Sequence, residues 1–217
     1  MRGDKIPVRV LSTRLIPNAD PALLRKLEVP EGLRSLALFT ADCDDVSYAA
    51  LDEATKKADV QVVYARSMYA GSGNASTANA GEFIGVLAAA DPASARSGLE
   101  AAVHFARYEA NFYSANSEDS VVYFAHCISR TGSYLSKMAE VPEGTAMAYL
   151  IAPPLEALYG LDAALKMADV ELNVFYGPPT ETNFAGGLLT GTQAACEAAC
   201  EAFAQAVCAV AAAPIEE

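Results

Sequence analysis

The pattern of apolar positions predicts the same order of strands and helices in each half of the chain. Short β-branched runs alternate with longer segments whose apolar residues recur at helical spacing. The runs predicted as strands are 8–16, 33–40, 61–67 and 82–90 in the first half, and 121–129, 146–152, 171–177 and 186–192 in the second. The predicted long helices are 45–58, 92–106, 155–168 and 193–211. Asp20 and Thr131 are each expected to cap a short helix after the first strand of a half. We therefore predict the same α/β unit in each half, an open sheet with helices packed on one face.

The two halves also share sequence. Residues 51–60 are LDEATKKADV and residues 161–170 are LDAALKMADV, so seven of ten positions agree at a separation of 110. The agreement includes two aspartates and a lysine in the same order, which an alanine-rich composition does not explain. A repeat of this length indicates a duplicated domain rather than a solenoid. We predict one domain over residues 1–110 and a second over residues 111–217, with the boundary near residues 110–120.

Composition narrows the class of protein and of partner. The 217 residues are 53% hydrophobic, and 15 Lys and Arg against 27 Asp and Glu give a formal net charge of −12. We expect neither nucleic acid nor an anionic membrane as a partner, because phosphate contacts need cationic side chains. The acidic excess instead favours small cations. The chain shows no apolar run of roughly 18 residues and no signal-peptide core. Five cysteines without a scaffold spacing are typical of a reducing cytosol.

The segment 126–133, HCISRTGS, is the strongest candidate for catalysis. A thiolate at Cys127 above a phosphate-binding loop would suit a phosphatase. The tyrosine-phosphatase pattern, however, requires an arginine six residues after the cysteine, where Ser133 stands, and Arg130 is only three residues on. A strand followed by a capped helix explains the segment better. The chain also lacks a catalytic triad, a Walker loop and GxGxxG spacing, so we expect no enzyme.

Cysteines recur on one face of the last predicted helix, at Cys196, Cys200 and Cys208. Thiolate metal sites need four converging ligands at tight spacing, and no CxxC occurs. We interpret these cysteines as small residues that let the helix pack closely. His104 stands in an alanine-rich helical pattern and is interpreted as a helix-face residue. We predict no structural metal and no cofactor, and leave open a weak metal site at the surface.

The segment 41–45, ADCDD, has more negative charge than a helix start needs. Asp44 or Asp45 is expected to cap the helix 45–58 and to favour its positive end. Capping accounts for one or two carboxylates, but Asp42 is a third. Glu82 stands at the start of an otherwise apolar strand, where a solvated strand end is the alternative to a functional role. For Phe112, between the halves, ordinary packing in the linker is the alternative.

Four long segments resemble one known family, the EutL family of tandem-domain shell proteins of the ethanolamine-utilisation bacterial microcompartment. They are 38–77, 126–136, 147–166 and 178–196, and the likeness weakens only in the first 30 residues and at the extreme C-terminus. The resemblance implies two circularly permuted microcompartment-shell domains and a homotrimer that forms a pseudohexameric tile. It also implies contact with other shell proteins at the tile edges, a place in the microcompartment shell in the cytoplasm, and a structural role.

The same resemblance implies small pores within each subunit that bind substrate. Ethanolamine is a protonated amine with a hydroxyl, so its site needs carboxylates and a hydrogen-bonding partner, and an aromatic face adds cation–π attraction. We expect Asp45 and Glu82, helped by Asp44, to bind the ammonium group. Phe112 is expected to form the aromatic wall and Thr182 to bind the hydroxyl.

A gated central pore on the trimer axis is implied as well. Polar loops at equivalent places in the two halves, 69–79 and 177–185, bury little apolar surface and are expected to rearrange as the gate. The expected pore-loop residues are Tyr69, Gly71, Ser72, Gly73, Asn74, Thr180, Asn183 and Phe184. Simple surface turns are the alternative. Lys56 and Lys166, equivalent in the repeats, are candidates for the tile edge, although an exposed helix lysine is the more common explanation.

A soluble sensor of a small amine, built from a duplicated α/β domain, is the alternative function. Repeat architecture does not separate the two, because tiles and sensors both use duplicated sheets and oligomeric clefts. The long matching segments favour the tile.

Overall fold

Two sheets and six helices form the described part of the chain, which is residues 3–68, 79 and 81–215 of the computed structural model. The strands are β1 (Lys5–Ile6), β2 (Val10–Ile16), β3 (Ser35–Ala41), β4 (Gln61–Ser67), β5 (Phe83–Ala89), β6 (Phe112–Ser114), β7 (Val122–Ile128), β8 (Ala146–Ala152), β9 (Val170–Tyr176) and β10 (Ala185–Gly191). The helices are α1 (Pro21–Lys26), α2 (Asp44–Lys57), α3 (Pro92–Tyr108), α4 (Ser133–Ala139), α5 (Pro154–Met167) and α6 (Gln193–Ala212).

One strand order is present in both sheets. The four-stranded sheet runs β2-β3-β5-β4, and the six-stranded sheet runs β1-β6-β7-β8-β10-β9, with antiparallel pairing throughout the described strands. The last four strands of the second sheet repeat the order of the first when the halves are matched. The predicted α/β fold, the eight predicted strands and the four long helices are confirmed.

Strands β1 and β6 were not predicted. They pair with each other, with Lys5 opposite Tyr113 and Ile6 opposite Phe112, and β6 continues onto β7. Within the predicted boundary segment 110–120, Phe112–Ser114 therefore form a strand. Strands of two and three residues carry too little alternation to stand out in a sequence.

By its contacts the chain divides into two compact units. The N-terminal unit contains Val8–Ala110 and Gly132–Leu135, and the C-terminal unit contains Asn111–Thr131, the residues from Ser136 on and those up to Pro7. A boundary at residue 110 would place the residues up to Pro7 in the N-terminal unit, but their contacts place them in the C-terminal unit. Conversely, Gly132–Leu135 follow that boundary in the chain but belong to the N-terminal unit.

In the N-terminal unit the two faces of the sheet are covered by different helices. Alternate residues of a strand face opposite sides. Leu87 faces α3, where a Cβ added to Gly98 would come 3.4 Å from Leu87 Cδ1. Leu36 and Val86 face the other way and pack with Leu24 of α1. The prediction that helices pack on one face is therefore correct for the long helices and wrong for α1.

The C-terminal unit has its core between the sheet and α5 and α6. Leu150 and Leu189 pack there with Leu161 and Phe203. Gly160 lies directly under the Phe203 ring, where a Cβ would come 2.7 Å from Cδ2. Within the described residues α6 is the one helix whose length and composition would allow it to cross a membrane, and its buried face belongs to this core.

A second sequence match follows the short helices. Residues 28–32 and 140–144 are both EVPEG, at a separation of 112, a match that our sequence analysis did not use. Glu28 and Glu140 have φ of 54° and 56°, and Gly32 and Gly144 have φ of 89° and 86°. Identical residues thus adopt the same left-handed turn geometry in both halves. This match fixes which residues of α1 and α4 are equivalent.

Thr131 does not cap α4 as predicted. Its Oγ1 atom is buried and makes no hydrogen bond to any residue that the structure describes. The cap is the carboxylate of Asp52 in α2, which accepts the N–H groups of Gly132 (2.7 Å) and Leu135 (2.9 Å). Asp20 caps α1 as predicted, because its Oδ1 accepts the N–H of Ala22 at 2.7 Å.

Candidate functional site

Four carboxylates converge in the N-terminal unit, and we call Asp42, Asp44, Asp45 and Glu82 the acidic cluster. The first three follow β3, and Glu82 precedes β5. Because β3 and β5 are antiparallel neighbours, with Ala41 opposite Phe83, the end of one strand lies beside the start of the other. The N–H of Glu82 donates to the carbonyl of Ala41 at 2.9 Å. The sheet pairing therefore brings together residues almost 40 positions apart.

The helix start within this cluster differs from the expectation. Cys43, not an aspartate, is the N-cap of α2, and its side chain makes no capping hydrogen bond. Asp44 is the first helical residue, and its Oδ1 accepts the N–H of Asp45 at 2.9 Å. Both aspartates lie in the first turn, where the helix dipole favours negative charge. The two acids therefore stand in the first turn of α2 although neither of them is its N-cap residue.

Burial and mutual repulsion disfavour the charged forms of Asp44 and Glu82. Asp44 and Asp45 are each only 7% exposed. Burial raises the pKa of Asp44, although hydrogen bonds from Ser67 and Asp45 oppose the rise. Burial, followed by repulsion from Asp44 and Asp42, raises the pKa of Glu82. A cationic ligand at this place would relieve both effects.

Arg9 compensates one of the four charges. Its backbone N–H donates to Asp42 Oδ1 at 2.8 Å, and its Nε donates to Oδ2 at 2.7 Å. Asp42 is therefore a structural carboxylate that joins the start of β2 to the end of β3.

Sequence analysis missed the hydroxyl groups beside the cluster. Tyr48 lies one turn after Asp44 in α2, and its hydroxyl is 2.9 Å from Ser67 Oγ. Its ring meets Phe83 edge-on at 5.0 Å. The i, i+4 spacing from Asp44 to Tyr48 was the available signal, since such residues share a helix face. The N-terminal unit thus offers carboxylates, hydroxyls and an aromatic ring in one neighbourhood.

The structure places Phe112 and Thr182 in the C-terminal unit, whereas Asp44, Asp45 and Glu82 belong to the N-terminal unit. Phe112 is buried, stacked on Phe124 at 5.4 Å and edge-on to Phe184 at 5.9 Å. Thr182 Oγ1 lies 3.5 Å from Thr180 Oγ1.

Of the predicted pore loops, the structure describes the second. Tyr69, Gly71, Ser72, Gly73 and Asn74 lie outside the described residues. In the second loop, Thr180 Oγ1 donates to the carbonyl of Phe184 and accepts its N–H, at 3.0 and 3.1 Å. Asn183 has a φ of 63°. Residues 180–184 thus form a turn closed by its own hydrogen bonds.

The cysteines are unsuited to nucleophilic chemistry. Burial raises the pKa of Cys127 to about 11 and raises the pKa of Cys196 and Cys200 as well. Raised values disfavour the reactive thiolate. Across residues 3–68, 79 and 81–215, no group of three or more His, Cys, Asp or Glu side chains could hold a metal ion. His104 instead lies 3.4 Å from Glu109 at the surface.

Comparison with known proteins decides the family. No family model matches the chain. Over 215 residues, covering 99% of each protein, the chain is 61% identical to the bacterial microcompartment shell protein EutL of Clostridium perfringens. The chain belongs to the EutL family. The crystal structure of ethanolamine utilization protein EutL from Leptotrichia buccalis is 60% identical, with a TM-score of 0.98 and full coverage of both chains. The trimeric microcompartment shell protein PduB is 22% identical, with a TM-score of 0.77 over 94% of this chain and 90% of PduB, and shares the fold.

EutL family membership settles the broad role. The relatives are named as shell proteins of bacterial microcompartments. This family member is therefore a structural protein of a microcompartment shell in the cytoplasm and not an enzyme. The predictions of family, role and location are confirmed.

Proposed function

We propose that three copies of this chain form a pseudohexameric tile in the shell of an ethanolamine-utilising microcompartment, with other shell proteins at the tile edges. The 61% identity to a shell protein over 99% of the chain carries the proposal. Two units with the same strand order support it, because three copies then present six similar sheets. PduB, which shares the fold, is a trimeric shell protein. In this proposal the domains 1–110 and 111–217 are the two microcompartment-shell domains.

Electron microscopy of the overexpressed protein tests the tile. We expect particles of hexagonal outline that associate edge to edge into layers, since a rim contact that does not close by rotation propagates. Discrete dimers without lateral association would instead support the amine sensor.

The acidic cluster supports ethanolamine as the ligand of this tile. In the proposed site, Asp45, Glu82 and Asp44 bind the ammonium group by charge-assisted hydrogen bonds. Tyr48 and Ser67 offer hydroxyls for the ligand hydroxyl, and the role of Thr182, which belongs to the C-terminal unit, stays a prediction. The Tyr48 ring, which packs edge-on against the buried Phe83, is a second candidate for the aromatic contact, and the role of Phe112 stays a prediction. The raised pKa values of Asp44 and Glu82 support a site that gains from a bound cation.

Titration calorimetry should show that ethanolamine affinity depends on the carboxylates of the acidic cluster and not on an acid elsewhere on the surface. Asp45→Asn and Glu82→Gln should each weaken binding about 10- to 100-fold, because a charged hydrogen bond is worth about 1.5–3 kcal/mol. Glu100→Gln, the same change at an exposed position of α3, should bind like wild type. Equal affinities for all four proteins, or no binding by wild type at millimolar ligand, would remove the site.

The pH dependence of binding has a defined sign. Affinity should fall as pH drops through the raised pKa values of Asp44 and Glu82, because protonated carboxyls lose their charge. The stability that a carboxyl with a raised folded pKa contributes is present at low pH and is lost as pH rises through that value. Glu82→Gln should therefore be at least as stable as wild type at pH 7, so that unfolding does not explain a loss of binding.

The loops 69–79 and 177–185 are proposed to line the central pore and to gate it. Hydrogen bonds between Thr180 and Phe184 close the turn at residues 180–184 on itself, which favours movement as a unit. Binding of ethanolamine that favoured closed loops would hold the pore shut, since only differential affinity shifts such a balance. Cysteines at Ser72 and Asn183 should form a disulfide between subunits in at least one state, and their failure to do so in every state would contradict the gate.

A further inference from the structure

One helix face is covered in the N-terminal unit and its equivalent is open in the C-terminal unit. Tyr48, Asp52 and Thr55 recur along α2 at i, i+4 and i+7 and so share a face, which we call the covered face. Adding the repeat separation of 110 gives Leu158, Asp162 and Leu165 of α5, which we call the open face.

The covered face is occupied by Gly132–Leu135, which belong to the same unit. The carboxylate of Asp52 accepts the N–H groups of Gly132 and Leu135. Thr55 Oγ1 accepts the N–H of Ser133 at 3.1 Å, and the rings of Tyr48 and Tyr134 stack at 6.3 Å. Asp52 and Leu135 are consequently fully buried.

The open face is exposed to solvent and is apolar. Leu158 is 46% exposed and Leu165 is 39% exposed. The Asp162 side chain is 58% exposed and pairs with Lys166 at 2.6 Å. Leu155 and Tyr159 extend the patch, at 62% and 52% exposure. Exposed large apolar side chains gathered on one helix face are typical of an interaction site.

The chain also contains the segment that corresponds to the covering residues. The EVPEG match, at a separation of 112, makes residues 20–23 equivalent to residues 132–135. Leu23 is equivalent to the buried Leu135, yet it is 41% exposed at the start of α1. The same short-helix start is therefore buried in one repeat and open in the other.

The two contacts differ by paired substitutions. Ser133 donates an N–H to Thr55, whereas at the equivalent places Pro21 has no N–H and Leu165 has no acceptor. Donor and acceptor are lost together, so that neither is left unpaired on burial. The aromatic pair of Tyr48 and Tyr134 is likewise replaced by the aliphatic Leu158 and Ala22. Such coordinated changes favour the same contact in both repeats, made by polar and aromatic side chains in one and by aliphatic side chains in the other.

The second contact cannot copy the first at every atom. A Cβ at Gly132 would come 2.3 Å from Thr55 Oγ1 and 2.6 Å from the Asp52 carbonyl oxygen, and Asp20 has a Cβ at that place. Residues 20–23 must therefore lie slightly farther from their partner helix. Asp20 also caps α1 itself, which leaves Asp162 to its ion pair with Lys166. The contact expected here is mainly apolar.

We propose that the start of α1 in one copy of this chain, led by Leu23, packs on the open face of α5 in a second copy, between Leu158 and Leu165. Because the two surfaces differ, the contact is head-to-tail, and in the proposed trimer it closes into a ring of three. The proposal rests on the trimer proposed above and names the contact that builds it.

Light scattering after size-exclusion chromatography tests this contact with three variants. Wild type should have three times the chain mass of 22.7 kDa. Leu23→Arg and Leu158→Arg should each give single chains, with assembly weakened about 100-fold or more by a buried unpaired charge. Met167→Arg, at a 69% exposed position off the open face of α5, should assemble like wild type. All three positions are exposed, and circular dichroism checks that each variant is folded.

Mixing the two disrupted variants gives a sharper test. Each retains the surface that the other lacks, so an equimolar mixture should form two-chain particles and stop there. Variants that keep the trimer mass, or a mixture without two-chain particles, would overturn the contact while leaving the tile in place. A wild type that is a single chain at all concentrations would overturn both the contact and the proposed trimer.

Discussion

Asp52→Ala should lower the free energy of unfolding by about 3 kcal/mol. The fully buried carboxylate accepts the N–H groups of Gly132 and Leu135. Each N–H that loses its partner in a buried place costs about 1–3 kcal/mol. Removal of a carboxyl whose pKa is raised by burial offsets part of this loss. In a chain of this length the melting temperature should fall by about 6–12 °C, as measured by thermal denaturation.

Asp162→Ala is the matched control, since Asp162 is the same residue in the other repeat. Its carboxylate is exposed and pairs with Lys166 at 2.6 Å. Exposed pairs of this kind contribute about 0–1 kcal/mol, so the melting temperature should change little. Equal losses for the two variants would contradict the role of Asp52 as the cap of α4.

Gly81→Ala should destabilise the protein by about 3 kcal/mol and abolish ethanolamine binding. Gly81 has a φ of +64°, and a Cβ there would lie 2.1 Å from the carbonyl oxygen of Ala41. The left-handed conformation alone costs about 1–2 kcal/mol for a residue with a side chain. The overlap adds more, because it pushes β5 from β3 and displaces Glu82, whose N–H bonds to the same oxygen. Chemical denaturation and calorimetry measure the two effects.

Gly32→Ala isolates the conformational part of this cost. Gly32 also has a positive φ, of +89°, but a Cβ there meets nothing within 4 Å. We expect a loss of about 1 kcal/mol and unchanged ethanolamine affinity. A Gly81→Ala variant no less stable than Gly32→Ala would show that the strands accommodate the methyl group.

Hydrophobic patterning was enough to predict the strands and long helices. The eight predicted strands are each seven residues long. Four of them, β3, β5, β8 and β10, are nearly continuous apolar runs buried along most of their length, and such runs stand out in a sequence. Helices α2 and α5 begin and end at residues 110 apart, as the LDEATKKADV match requires. The strands β1 and β6 were not predicted because they are short and form by pairing with each other across about 100 residues of chain, which leaves no local pattern.

The candidate ligand site could be predicted only in part. Asp44 and Asp45 stand out because they adjoin each other in the chain, and Glu82 stands out as an acid in an apolar strand. That Glu82 lies beside them follows from the β3–β5 pairing. Tyr48 and Ser67 were missed because a tyrosine on a helix and a serine at a strand end are ordinary in sequence. Their hydroxyls meet only in the folded unit.

The sequence by itself determined the duplication, the α/β units and the family, because each is carried by local patterns or by long matching segments. Asp52 and Asp162 each follow a leucine and stand four residues before a lysine, and this shared spacing alone does not separate them. The tertiary structure made Asp52 a buried cap and left Asp162 in a surface ion pair. The difference arises because the partner of Asp52 is a backbone segment 80 residues away, and a contact at that distance depends on the path of the whole chain.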